Sequence, residues 1–125
     1  QDDMESFGDV ATTVRSAEVL LGGVALASVG EEIKNAPLIA AKSADELIGI
    51  KGIEAAFVLG RDGESISVSG RSLGNINVQI ICERLGGGGH LTMAGAQLGD
   101  IELDEAEAEG RTAIEQYMQE VQNTL

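Results

Sequence analysis

Four consecutive glycines, Gly86–Gly89, followed by the single histidine of the chain, constrain its fold more than any other feature. Because glycine has no Cβ, such a run can direct several main-chain N–H groups at one point and admit a ligand close to the backbone. His90 can add a hydrogen-bond donor or a positive charge there. The run lies between an apolar helical pattern ending at Leu85 and the apolar segment Leu91–Leu98, unlike a serine-rich linker. We interpret it as a phosphate- or nucleotide-binding loop, the alternative being a helix C-cap beside a buried histidine.

The composition limits the classes of partner. The 125 residues are 43% hydrophobic, which suits one domain with an aliphatic core. The net charge of −13 argues against a general nucleic-acid-coating surface, so a local group of residues must hold any phosphate ligand. Cys82 lies on an apolar helical face, which indicates a buried, unreactive thiol and a reducing compartment. No apolar run is long enough to span a bilayer. We expect the chain, which begins at Gln1, to be part of a longer polypeptide.

Apolar spacing and turn residues predict an α/β (α+β) fold: a mixed β-sheet of about five strands with flanking helices. In chain order we predict a helix to about Ser16, strands Glu18–Leu21 and Val24–Val29, a helix Leu38–Ile48, strands Ala55–Leu59 and Ser65–Ser69, a helix ending at Leu85, a strand Met93–Leu98 and an acidic helix from Leu103. A helix through Leu21 is the alternative to the first hairpin. The strand Ala55–Leu59 is apolar throughout, so we expect it at the centre of the sheet.

Arg71 and Ser72 follow directly after a strand with one polar face. Ligands commonly bind at strand ends in α/β folds, where a guanidinium can hold a phosphate with two hydrogen bonds and a hydroxyl can add a third. The alternative is a surface arginine near a turn. Asn75 and Asn77 stand where the third helix begins, so at least one is expected to cap it, while Asn77 could instead contact a base or a ribose.

A self-sufficient catalytic centre is not visible in the sequence. One histidine and no Asp-x-Asp pair are too few ligands for most hydrolytic metal sites. The glycine run follows a helix rather than a strand and lacks the Gly-Lys-Ser/Thr of a P-loop, so neither common nucleotide fingerprint applies.

The stretch Ser69–Leu98 carries a family resemblance that extends over nearly the whole chain from about Ser16. An arginine at a strand end, Asn-Val opening a helix, Gly-Gly-Gly-His and a small Ala-Gly step occur in that order. In this combination the chain resembles the C-terminal DHH-associated, substrate-binding domain of the DHH phosphoesterase superfamily. Within it, the chain is most similar to membrane-bound bacterial cyclic-di-AMP phosphodiesterases.

The resemblance implies a division of labour within a longer protein. Residues 1–16 would be a connecting helix from an upstream catalytic DHH domain, and residues 17–125 the substrate-binding domain. The DHH domain would hold manganese, and this chain would bind no metal and contribute no catalytic residue. The substrate would be a cyclic or linear dinucleotide, with cyclic-di-AMP as the first candidate. The longer protein would be anchored in a bacterial membrane with this domain on the cytoplasmic face. Its oligomeric state, monomer or homodimer, is left undecided by the resemblance.

The resemblance also implies roles for individual residues. Arg71 would bind a substrate phosphate with Ser72 beside it, and His90 would face the scissile or the adjacent phosphate. Backbone donors would come from Gly87, Gly88 and Gly89. The further contacts it suggests are Asn77, Ala94 and Gly95.

Other functions remain as alternatives. One is a nucleic-acid-binding module of an exonuclease for short oligoribonucleotides or single strands. Another is a non-catalytic RNA-binding domain, like the related domain that closes alanyl-tRNA synthetases, against which the charge of −13 argues because long RNA requires many phosphate contacts. A third is a stand-alone nucleotide sensor.

Overall fold

The computed structural model describes residues 3–124, which form four helices and six strands. The helices are α1 (Met4–Arg15), α2 (Ala36–Leu47), α3 (Val78–Arg84) and α4 (Leu103–Asn123). The strands are β1 (Glu18–Leu20), β2 (Val24–Ser28), β3 (Ala55–Asp62), β4 (Ser65–Ser72), β5 (Gly88–Gly89) and β6 (Met93–Leu98). Among the described residues, none of these helices has both the length and the apolar character to cross a membrane.

The strands form one mixed sheet in the order β1-β2-β3-β4-β6-β5. Only β2 and β3 pair in parallel, with α2 as the crossover between them, and the other neighbours are antiparallel. Both predicted hairpins are confirmed, and so is the central place of the apolar strand β3. The sheet has one strand more than expected, because Gly88 and Gly89 pair with Gly95 and Ala94. Two consecutive glycines have no side chains that could alternate between the faces of a sheet, so the sequence does not indicate a strand here. The pairing with β6 defines it.

The two faces of the sheet are buried by different helices. Helices α3 and α4 cover the side that includes Phe57 and Leu59, and α2, with α1 outside it, covers the side that includes Ala56 and Val58. Gly70 allows the first of these layers to close, since a Cβ there would lie 2.8 Å from the Phe57 ring. The predicted aliphatic core is therefore split into two layers by the sheet.

Helix α2 leaves part of its face of the sheet uncovered. It packs on β3 and β4, while Met93 and Gln97 of β6 are exposed and Gly88 of β5 is only half-buried. Side chains alternate along a strand, so Met93 and Gly95 share this side with Ser69 and Arg71, their partners on β4. We call this uncovered area the open face, formed by Ser69, Arg71, Gly88, Met93 and Gly95.

Candidate functional site

Strand register brings Arg71 and His90 into one row at the edge of the open face. Arg71 lies opposite Met93 in the β4–β6 ladder, and the His90 N–H donates to the Met93 carbonyl oxygen at 2.7 Å. Neighbouring strands lie about 4.8 Å apart, so the Cα atoms of Arg71 and His90 are roughly 10 Å apart. The two residues that the sequence singled out for phosphate binding thus flank one methionine.

Helix α2 and the backbone hold the guanidinium of Arg71. Its Nε donates to Asp45 Oδ1 at 2.9 Å, and its Nη1 donates to the Gly70 carbonyl oxygen at 3.0 Å. The side chain is 13% exposed, whereas that of Asp45 is 58% exposed. Within residues 3–124, Nη2 has no hydrogen-bond partner. The guanidinium is therefore oriented by the protein and keeps donors for a further anion.

Ser72 lies on the opposite side of β4 from Arg71 and is buried. Its Oγ donates to the Leu91 carbonyl oxygen at 3.3 Å and accepts from the Gly74 N–H at 3.2 Å. Its own N–H donates to the Thr92 carbonyl oxygen at 3.0 Å. This placement differs from the expected phosphate donor beside Arg71, because adjacent residues of a strand point to opposite faces. Ser72 instead anchors the turn that follows His90.

The asparagines take structural roles in this structure. Asn77 is the N-cap of α3: its Oδ1 accepts from the Gln79 N–H at 3.0 Å, and its N–H donates to the Tyr117 hydroxyl at 3.1 Å. Asn75 donates to Glu54 Oε1 at 2.8 Å. The capping interpretation of Asn77 is confirmed, and a contact of its amide with a base or a ribose stays a prediction.

The glycine run divides into two parts. Gly86 and Gly87 close α3, with N–H groups that donate to Glu83 at 3.0 Å and Cys82 at 2.8 Å. Gly88 and Gly89 belong to the edge strand β5. The His90–Met93 hydrogen bond makes Gly88 and Gly95 a hydrogen-bonded pair by the alternation of an antiparallel ladder, so the Gly89 N–H points away from β6. The N–H groups of Gly87 and Gly88, two of the three expected donors, are thus occupied, and that of Gly89 points away from the sheet.

The glycines differ in how much room they have. An added Cβ would lie 2.0 Å from the Gly95 carbonyl oxygen at Gly87, and 2.5 Å from the Ala94 Cα at Gly89, which also has a left-handed φ of 144°. At Gly88 nothing lies within 4 Å. The hairpin therefore requires the glycines on either side, while Gly88 faces open space.

His90 is exposed, which contradicts the alternative of a buried, satisfied histidine. Ala94 and Gly95, the remaining predicted contacts, fall on different faces. Ala94 is buried in the core opposite Gly70, and Gly95 lies on the open face opposite Ser69. Of the predicted site residues, the open face and its margin therefore bring together Arg71, Gly88, His90 and Gly95, with Gly89 at the edge.

Two residues of this region were missed as site residues. Met93 was predicted to lie in a strand and was not among the predicted contacts, although the alternation Met93-Gly95-Gln97 could have placed it on the face of Arg71 once the register was known. The sequence around Asp45 does not indicate a contact with Arg71, because only the packing of α2 on the sheet brings the two residues together.

The described residues, 3–124, offer no group of three or more histidine, cysteine or acidic side chains that could hold a metal ion. Cys82 lies in the core layer on the far side of the sheet, where burial raises its pKa to about 11. The predicted burial of this thiol is confirmed. The site can offer hydrogen bonds and the positive charge of Arg71 to an anion.

Comparison with known proteins identifies the fold and its relatives. The model of the DHHA1 domain family matches residues 22–120. The chain is 41% identical over 118 residues to the cyclic-di-AMP phosphodiesterase PdeA of Listeria monocytogenes, and 42% identical over 120 residues to the cyclic-di-AMP phosphodiesterase GdpP of Geobacillus thermodenitrificans. These alignments cover 94% and 95% of the chain but 18% of each relative, so the chain spans about a fifth of their length.

A solved structure has the same fold. The exopolyphosphatase-related protein of Bacteroides fragilis superposes with a TM-score of 0.80, at 23% identity, over 94% of this chain and 36% of that one. The predicted α/β class with a mixed sheet and flanking helices is confirmed.

Proposed function

The chain belongs to the DHHA1 domain family, and on that premise we propose that its open face binds the phosphates of a cyclic or linear dinucleotide, with cyclic-di-AMP the first candidate. The proposal extends to the longer protein of which this chain would be the substrate-binding part: a manganese-dependent phosphodiesterase anchored in a bacterial membrane, with this domain on the cytoplasmic face. The names of the relatives at 41% and 42% identity support the choice of substrate.

The row Arg71–Met93–His90 is the observation that carries the proposal. Arg71, with a guanidinium donor to spare, and His90, with an exposed imidazole, lie on either side of β6 with Cα atoms roughly 10 Å apart, a spacing that suits two anionic groups of one small molecule. The small residues Gly88 and Gly95 beside the row leave space for that molecule above the sheet.

The charge of the chain favours a small ligand. A net charge of −13 opposes a long polyanion, whose binding sums many phosphate contacts, far more than it opposes a dinucleotide held at two points. The exonuclease and RNA-binding alternatives require such a series of phosphate contacts along the nucleic acid.

The chemical step would require metal ligands that residues 3–124 do not supply. Residues 3–124 do not fit a metal site, so we assign manganese and the activation of water to a DHH domain outside the chain. The residues of this chain would bind and orient the substrate, and none of them would be catalytic.

A binding experiment on the 125-residue chain tests the proposal. The ¹⁵N-labelled chain is titrated with cyclic-di-AMP, with its linear product and with a short oligoribonucleotide, up to millimolar concentrations. We expect the dinucleotides to shift the amide signals of Gly88–His90 and the Arg71 Nε–H signal, and to bind more tightly than the oligoribonucleotide. Shifts confined to other surfaces, or tighter binding of the oligoribonucleotide, would overturn the proposal.

A further inference from the structure

We propose that Met93 determines substrate specificity by contacting the aromatic base of the bound nucleotide. This inference rests on the proposed function, because it assumes that phosphates bind at Arg71 and His90. It adds a third point of recognition, one that responds to an apolar ring and not to charge.

The position of Met93 follows from strand pairing. It lies opposite Arg71 on one side and opposite His90 on the other. Arg71 and Met93 form a non-hydrogen-bonded pair, since the hydrogen bond from the Ser72 N–H to the Thr92 carbonyl puts the bonded pairs at the alternate positions. The Cβ atoms of such a pair are about 4.5–5.5 Å apart. A molecule that reaches both Arg71 and His90 must therefore pass over Met93.

The Met93 side chain is available for that contact. It is 54% exposed, although methionine is usually a buried residue. The adjacent positions on the open face, Ser69, Gly95 and Gly88, carry small side chains or none. Met93 is thus the one large apolar side chain among the residues that define the open face.

The chemistry of a thioether fits an aromatic base. A flexible, polarisable methionine side chain makes favourable contacts with aromatic rings. A base therefore gains from Met93, and an inorganic polyphosphate, which has only phosphate groups, does not. The residue would allow the site to distinguish nucleotides from anions of similar charge.

The test uses the ¹³C-labelled methyl groups of the three methionines, Met4, Met93 and Met118, in the 125-residue chain. Cyclic-di-AMP and inorganic tripolyphosphate are titrated separately. We expect cyclic-di-AMP to shift the Met93 methyl signal through the ring current of adenine, and tripolyphosphate to shift the Arg71 and His90 signals but not that of Met93. The exposed Met4 on α1 serves as the internal control.

A substitution supplies the second measurement. Met93→Ala should weaken cyclic-di-AMP binding roughly two- to tenfold and leave tripolyphosphate binding unchanged, with Met4→Ala as the control. If cyclic-di-AMP shifts the Arg71 and His90 signals while the Met93 signal stays and Met93→Ala binds normally, the role of Met93 is wrong and the proposed function stands. If cyclic-di-AMP shifts none of the three, both are wrong.

Discussion

The Nε of Arg71 donates a hydrogen bond to Asp45 Oδ1 at 2.9 Å, which joins strand β4 to helix α2 beside the open face. The arginine side chain is largely covered, and the aspartate side chain is 58% exposed. Loss of the arginine would therefore leave the carboxylate in contact with water and not buried without a partner. The pair orients the guanidinium without making it essential for the fold.

We expect Arg71→Ala to weaken dinucleotide binding by about 1.5–3 kcal/mol, the contribution of a hydrogen bond to a charged group, which is roughly ten- to a hundredfold in affinity. Arg71→Lys should restore only part of this, because an ammonium lacks the planar fork. Titration calorimetry measures the affinity, with Arg111→Ala, which breaks the exposed Arg111–Glu18 pair, as the matched control. Normal affinity of a folded Arg71→Ala variant would remove Arg71 from the site.

Neighbouring glycines should respond differently to alanine. Gly88→Ala has free space and no left-handed φ, so its free energy of unfolding should stay within about 1 kcal/mol of the native value while dinucleotide binding weakens. Gly87→Ala would force a Cβ against the Gly95 carbonyl oxygen and should cost on the order of 1–3 kcal/mol of stability. Urea unfolding and titration separate the two effects. Unchanged binding by Gly88→Ala would argue against a ligand above β5.

Ser72 should act on stability through the turn that it anchors. Ser72→Ala removes the hydrogen bond to Leu91 and leaves the Gly74 N–H without its acceptor, so we expect a loss of about 1–3 kcal/mol in urea unfolding. The matched control is Ser67→Ala on the same strand, which faces the other side of the sheet and should be nearly neutral. Equal effects of the two substitutions would contradict an anchoring role.

Cys82 should make stability fall in alkaline solution. Burial raises its thiol pKa from 9.0 to about 11, so the unfolded chain loses this proton at a lower pH than the folded protein. Below pH 9 both states keep the proton and the contribution is complete, and between pH 9 and about 11 it is lost at up to about 1.4 kcal/mol per pH unit.

The Cys82→Ala variant isolates this effect. All other residues are shared by the two proteins, so the difference in unfolding free energy between native protein and variant is the quantity to follow. It should be constant up to pH 8 and shrink above pH 9. A difference independent of pH up to 11 would show that burial does not perturb the thiol.

The 125-residue chain should fold and yet hydrolyse no cyclic-di-AMP in the presence of manganese, because residues 3–124 contain no cluster of metal ligands. Activity should appear when a DHH domain precedes the chain, and a chromatographic assay of the linear product follows both. Turnover by the chain alone that survives chelation and is lost in His90→Ala would overturn this separation of binding from chemistry.

Local patterns were sufficient for most of the secondary structure. The apolar repeat of α4 and the β3–β4 hairpin depend on residues close in sequence, and both elements are confirmed. Arg71 and Ser72 were expected together because the strand was predicted to end at Ser69. β4 instead extends to Ser72, and the alternation of side chains along it puts the two residues on opposite faces. The Asp45–Arg71 pair joins residues 26 positions apart and has no local signature.

The position of β5 has a consequence for dynamics. It is a two-residue strand at the edge of the sheet, made entirely of glycine, whereas β3 is buried between two layers. Amide hydrogens in a short edge strand exchange through local opening far more readily than those of a central strand. A ligand that bridges β4 and β5 would suppress this opening, and part of its binding energy would be used to order the backbone. Hydrogen exchange at Gly88 and His90, whose N–H groups face β6, should therefore slow on binding, even where no atom of the ligand touches those amides.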